Sequence, residues 1–110
     1  MTSVAQMSNP EDAKLVTLAT NTLARSGASQ AAALRDTTGR TYVAINVASP
    51  ALTLDAFEAV LTVALASGIT GIESVVATGD QPANTEAIKG FAPTATIFYI
   101  DSTGAINAIN

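Results

Sequence analysis

The chemistry open to this 110-residue chain is that of nine carboxylates, five basic side chains, hydroxyls and amides, because it contains neither histidine nor cysteine. Histidine is the usual acid–base group near neutral pH and the commonest metal ligand. Cysteine is the usual thiol nucleophile and the soft ligand of zinc. Their absence excludes Ser-His-Asp and cysteine hydrolysis, His/Cys zinc sites, disulfide exchange and iron–sulfur clusters. Several acids sit where local structure accounts for them. Glu11 and Asp12 follow Asn9-Pro10, Asp36 opens Asp36-Thr37-Thr38-Gly39, Asp80 follows Gly79, and Asp101 opens Asp101-Ser102-Thr103-Gly104. No phosphate-cradling loop is present: Gly68 and Gly71 lack the flanking pattern, and no Gly-Lys-Ser/Thr occurs.

Charge sets further bounds. Lys14, Arg25, Arg35, Arg40 and Lys89 are scattered, the net charge is −4 and aromatic residues are 5%. A nucleic-acid groove needs clustered positive charge and stacking rings, so no nucleic-acid partner is expected. No apolar run reaches the length that spans a bilayer, so no membrane partner is expected either. Residues 1–9 read as a flexible polar tail without a positively charged start; no signal peptide is expected, and a cytoplasmic location follows by default. Charged residues make up only 13% of the chain, about half the usual share of a soluble domain. With 48% hydrophobic residues to cover, a partner surface is expected, most simply in a homo-oligomer.

The length fits one domain, residues 10–110, large enough for a core without staples. Asn9-Pro10-Glu11-Asp12 is a helix start: a capping amide, proline at the first helical position, then acids against the positive helix end. Leu15, Val16, Leu18, Ala19 and Leu23 form a helical stripe that Gly27 ends. Residues 31–35 and 40–47 are strand-like, and the Asp36 turn between them makes a hairpin. Ser49-Pro50 opens the next segment, with Thr53 a candidate cap. Leu54, Phe57, Val60, Leu61, Ala64 and Leu65 then run to Gly68 with apolar residues on nearly every side, predicting a buried central helix.

Residues 72–78 predict a strand buried on both faces. Asn84-Thr85-Glu86 starts a short helix ended by Gly90 and Pro93, residues 94–100 form another strand, and residues 105–110 a short closing one. An α-β-β-α-β-α-β order, with that closing strand, predicts a hairpin followed by two β-α-β crossovers: a mixed sheet of four to five strands with helices on its faces.

That order, with these residues, resembles the cytidine deaminase family. The likeness runs through Ala31-Ala32-Ala33-Leu34, where the family has small residues in its first strand, and Gly39-Arg40-Thr41-Tyr42-Val43 with Asn46-Val47, where it reads G-R-x-(apolar)-x-G-x-N-V-E. Leu52-Thr53-Leu54-Asp55-Ala56-Phe57 falls where the family reads L-T-L-C-A-E, and Phe91-Ala92-Pro93 to Asp101 continues in step. The resemblance implies a three-layer α/β/α cytidine deaminase-like fold.

In that family a Cys or His of C-A-E and two cysteines of a P-C-x-x-C turn hold zinc, and the glutamate of C-A-E moves the proton. Here the first ligand position carries Asp55 and the glutamate position Phe57. The turn corresponds to Pro82-Ala83-Asn84-Thr85-Glu86, which puts Ala83 and Glu86 at the cysteine positions. The family glutamate that holds the ribose becomes Ala48, while its asparagine partner survives as Asn46. Glu58, one residue beyond Phe57, is expected about 100° round the helix and away from the site.

The remnant pocket is therefore Asn46, Asp55, Phe57 and Glu86, with no catalytic residue, metal or cofactor expected. The implied function is that of a pseudoenzyme, a self-associating structural or binding subunit. The alternative is a regulatory module that binds a nucleoside or related small ligand.

Overall fold

The computed structural model describes residues 9–82 and 84–109, so most of the polar tail read from the sequence lies outside the described residues. Helix α1, Pro10–Ser26, starts as the sequence dictates: the Asn9 side chain accepts from the Glu11 amide, and Gly27, at φ 68°, ends the helix in the left-handed region. Strand β1 is Gln30–Asp36 and β2 is Thr41–Ile45. The second strand is shorter than its apolar pattern predicts. At Asn46 the backbone amide donates to the Gln30 carbonyl while the side-chain oxygen accepts the Gln30 amide, so the asparagine closes the hairpin. The chain then forms a separate small hairpin, β3 (Val47–Ala48) with β4 (Thr53–Leu54).

Helix α2 is Ala56–Ala66, β5 Ile72–Gly79, α3 Glu86–Phe91, β6 Thr96–Ile100 and β7 Ile106–Ile109. The principal sheet has the order β2-β1-β5-β6-β7. β1 pairs antiparallel with both β2 and β5, so β2 and β5 run the same way and α2 carries the chain across β1 between them. β5 and β6 are parallel, joined through α3, and β7 closes antiparallel on β6. The mixed five-stranded sheet and its two crossovers are those the element order predicts.

The sheet separates two cores. On one face Leu15, Val16 and Ala19 of α1 meet Ala33, Val76, Ile100 and Ile106. On the other, Phe57, Val60, Leu61 and Ala64 of α2 and Ile88 of α3 meet Ala32, Leu34, Val75, Ala77 and Ile97. Alanine is a poor strand former, yet Ala31, Ala32 and Ala33 occupy β1, an inner strand of the sheet, at 0% exposure. Their small side chains let both helical layers approach the strand closely. Arg35, also on β1, is buried against Asp12 of α1 at 2.9 Å, and its Nε reaches Glu73 at 3.2 Å.

Three local readings change. Thr53 lies in β4, and the cap of α2 is Asp55. α2 is not enclosed all round, since Val63 and Leu65 are 43% and 44% exposed. Gly90 lies inside α3 rather than ending it.

The Asp36 and Asp101 turns share one construction. Each aspartate Oδ1 accepts from the backbone amide and hydroxyl of the threonine two residues on, and from the amide four residues on. Burial pushes the Asp36 carboxyl up, but its bonds to Thr38 and Arg40 outweigh that and hold it below its ordinary value. The Thr103 hydroxyl bond lowers Asp101 in the same direction against a smaller effect of burial. Because both native values lie below the unfolded one, this stabilisation is complete above about pH 4 and is lost as pH falls through the lowered values. Urea midpoints between pH 2 and 6 should therefore fall on acidification, and the Asp36→Ala/Asp101→Ala double variant should show a flatter acid limb.

Candidate functional site

The loops that follow β2 and β5 meet at the amino terminus of α2. A helix start leaves several backbone amides without partners, and here each identified bond goes to a specific side chain. Asp55 Oδ1 accepts from the Glu58 amide at 2.9 Å, and Glu58 Oε1 accepts from the Asp55 amide at 3.0 Å, a reciprocal capping box. The Ala56 amide donates to Gln30 Oε1 at 3.0 Å, which ties the helix to the first residue of β1. The other oxygens of the two acids face the loop before α3. Asp55 Oδ2 accepts from the Asn84 amide and Glu58 Oε2 from Asn84 Nδ2, each at 3.0 Å. Asn84 in turn uses Oδ1 to accept from the Glu86 amide at 3.1 Å.

Asn84 is thus clasped to the start of α2 through both its backbone and its side chain. Glu58 does not turn away, as its position on the helix predicts. Its flexible side chain folds back along the first turn, where the capping box holds one oxygen and Asn84 the other.

Phe57 lies one residue into this helix and points the opposite way, into the core, with 0% exposure. Burying such a ring stabilises the fold by about 1.5–3 kcal/mol. Asn46 is half-buried beside Gln30 and reaches the same corner of the sheet through that residue. Glu86 is exposed as the first residue of α3, and Ala83 lies outside the described residues. The structure therefore joins Asp55 directly to Asn84, two residues before Glu86, and connects Asn46 to the helix through Gln30. Gln30, Glu58 and Asn84 join this corner although none belongs to the remnant pocket that the family resemblance implies. The Asp55-x-x-Glu58 spacing is a legible capping signal, whereas nothing local marks Gln30.

A sequence profile described as cytidine deaminase-like matches residues 8–104, nearly the whole chain. The chain belongs to the cytidine deaminase-like family. Two solved structures share the fold of this deaminase-like chain. Cytidine deaminase from Burkholderia pseudomallei superposes with a TM-score of 0.70 at 22% identity, over 88% of this chain and 90% of that one. Cytidine deaminase from Mycobacterium leprae gives 0.65 at 17% identity, over 86% and 90%. No curated protein sequence matches the chain.

In this deaminase-like frame, no group of three or more His, Cys, Asp or Glu side chains that could hold a metal ion occurs among the described residues. The described helices also include none long and apolar enough to cross a membrane.

Two variants separate packing from clasping at this corner. Phe57→Ala should lower unfolding stability by about 3–5 kcal/mol, the range for emptying a buried aromatic site. Asp55→Asn keeps a capping oxygen for Glu58 but turns an amide donor toward the Asn84 amide. It should cost only about 1 kcal/mol while speeding hydrogen exchange at the Asn84 amide. Equal exchange in Asp55→Asn and the parent chain would contradict the clasp.

Proposed function

We propose that this chain is a non-catalytic member of its family, a self-associating structural or binding subunit that holds no zinc. The observation that carries the reading is Phe57, fully enclosed at the position where the family resemblance expects the proton-moving glutamate. A phenyl ring cannot transfer a proton, and general acid–base transfer contributes about 10²–10⁴ in rate.

The neighbouring donors fit the family's zinc poorly. Both Asp55 oxygens already accept hydrogen bonds, from Glu58 and Asn84, and Glu58 is engaged in the same way. Asp55 and Glu86 would in any case offer hard oxygen ligands, which suit magnesium or calcium better than zinc. No deamination step is derived through such a centre.

Self-association draws support from α2, where Val63 and Leu65 stand in solvent on a helix whose one charged residue is Glu58. The two stand about 200° apart round the helix, at opposite edges of its outer side with Glu58 and Thr62 between them, so a partner would cover that whole side. The nucleoside-binding alternative would use Asn46, but its side-chain oxygen is already bonded to the Gln30 amide, which weighs against that role.

Light scattering at micromolar concentration should give a mass above one chain, and Val63→Asp with Leu65→Asp should return it to the monomer. A strict monomer for the parent chain contradicts the association. Turnover of cytidine above the uncatalysed background contradicts the non-catalytic assignment.

A further inference from the structure

On the α1 face of the sheet, opposite the Asp55 corner, an open groove of about 720 Å³ lies between the carboxyl-terminal half of α1 and the ends of β5 and β6. That volume is in the range of small-molecule sites, about 300–1,000 Å³. Val16, Leu23, Ala28 and Ile100 supply apolar walls, and Thr20, Ser29, Thr78 and Ser102 supply hydroxyls. The charged side chains that line it are both acids, Asp80 and Asp101.

We propose that this groove binds a small organic cation, an amine carried on an apolar body. Three features of the local field agree in sign. The groove opens beside the carboxyl terminus of α1, where the helix dipole presents partial negative charge. Asp80 stands at the end of β5, exposed and held in place by its backbone amide, which donates to the Ser29 carbonyl at 2.8 Å. Asp101 stands at the end of β6 and contributes its charge rather than a free acceptor, since its Oδ1 is held by the turn it opens and its Oδ2 accepts from Asn107 Nδ2 of β7 at 3.4 Å.

Tyr99 reports the same field from the other face of the sheet. Its hydroxyl donates to the Gly79 carbonyl at 2.6 Å, and its ionisation is pushed up by burial and then by Asp101 and Asp80. The basic residue of the last α1 turn, Arg25, is not among the groove residues. Gly79 is also required for the shape of this end: at φ 96° a Cβ there would lie 2.3 Å from the Ser29 carbonyl oxygen. An anion would meet two carboxylates and a helix carboxyl terminus, so phosphates and carboxylic acids are excluded. The hydroxyls can accept the ammonium hydrogens while the apolar walls cover the body of the ligand.

This inference stands apart from the non-catalytic reading, since it uses none of the residues at the Asp55 corner. The test is titration of the full chain with phenethylamine, phenylacetate and calcium ion, followed by amide NMR. Phenethylamine should shift Gly79, Asp80, Ser102 and Gly104 saturably, and phenylacetate should leave them in place.

Asp80→Asn should weaken the amine at least threefold. Thr20→Trp, on the exposed side of α1, should obstruct the groove and abolish the shifts in a protein whose other resonances are unchanged. The proposal is overturned if the amine causes no saturable shift, if phenylacetate binds as well, if calcium alone gives the same shifts at the same concentration, or if Asp80→Asn binds the amine unchanged.

Discussion

The start of α2 is where four separated stretches of chain are tied together, and the placement of Phe57 depends on those ties. Gln30 connects the first residue of β1 to the Ala56 amide and to Asn46, and the capping box of Asp55 and Glu58 fixes the first turn. Asn84 then draws the loop before α3 onto the same two acids. Free helix-start amides are costly to bury and non-committal in direction. Once partnered, they set where α2 begins and therefore which residue faces the sheet. With Asp55 as the cap, Phe57 falls on the inward side, against a strand whose alanines leave room for its ring.

The two faces of the sheet have been used differently. On the α2 face the side chains pack to closure around Phe57, and the polar groups at the helix start satisfy one another. In the family resemblance that is the corner where a metal would cross-link α2 to the following loop. In the account proposed here, hydrogen bonds from Asn84 to two carboxylates take over that cross-link. On the α1 face the helix packs tightly along Leu15, Val16 and Ala19 but leaves a groove open towards its carboxyl end. Of the two acids there, Asp101 is bonded within its own turn and to Asn107 of β7, whereas Asp80 stands exposed beside the groove.

Much of the frame was readable because it is written in local signals. Asn9-Pro10 and Gly27 delimit α1, and two Asp-x-Thr-Gly turns mark the hairpins at the two sides of the sheet. The apolar runs around Val75 and Ile97 give the parallel pair. What the sequence hid depends on long-range partners. Asn46 ends β2 early because it meets Gln30, sixteen residues away. Glu58 faces the Asp55 corner because Asn84, twenty-six residues away, supplies a donor; helical periodicity places its Cβ but does not restrain so flexible a side chain. The exposure of Val63 and Leu65 is a third case, since an all-round apolar helix reads the same whether its outer face is covered by the same chain or by another.

In the proposed function, hydrogen bonds rather than a metal hold α2 to the loop before α3. Thermal unfolding of the full chain, run once with excess zinc and once with a chelator, tests it most directly, because a ligand that binds only the native state raises the midpoint. The same midpoint in both, with no zinc retained after dialysis, is expected. A midpoint several degrees higher with zinc, accompanied by one tightly held zinc per chain, would contradict it.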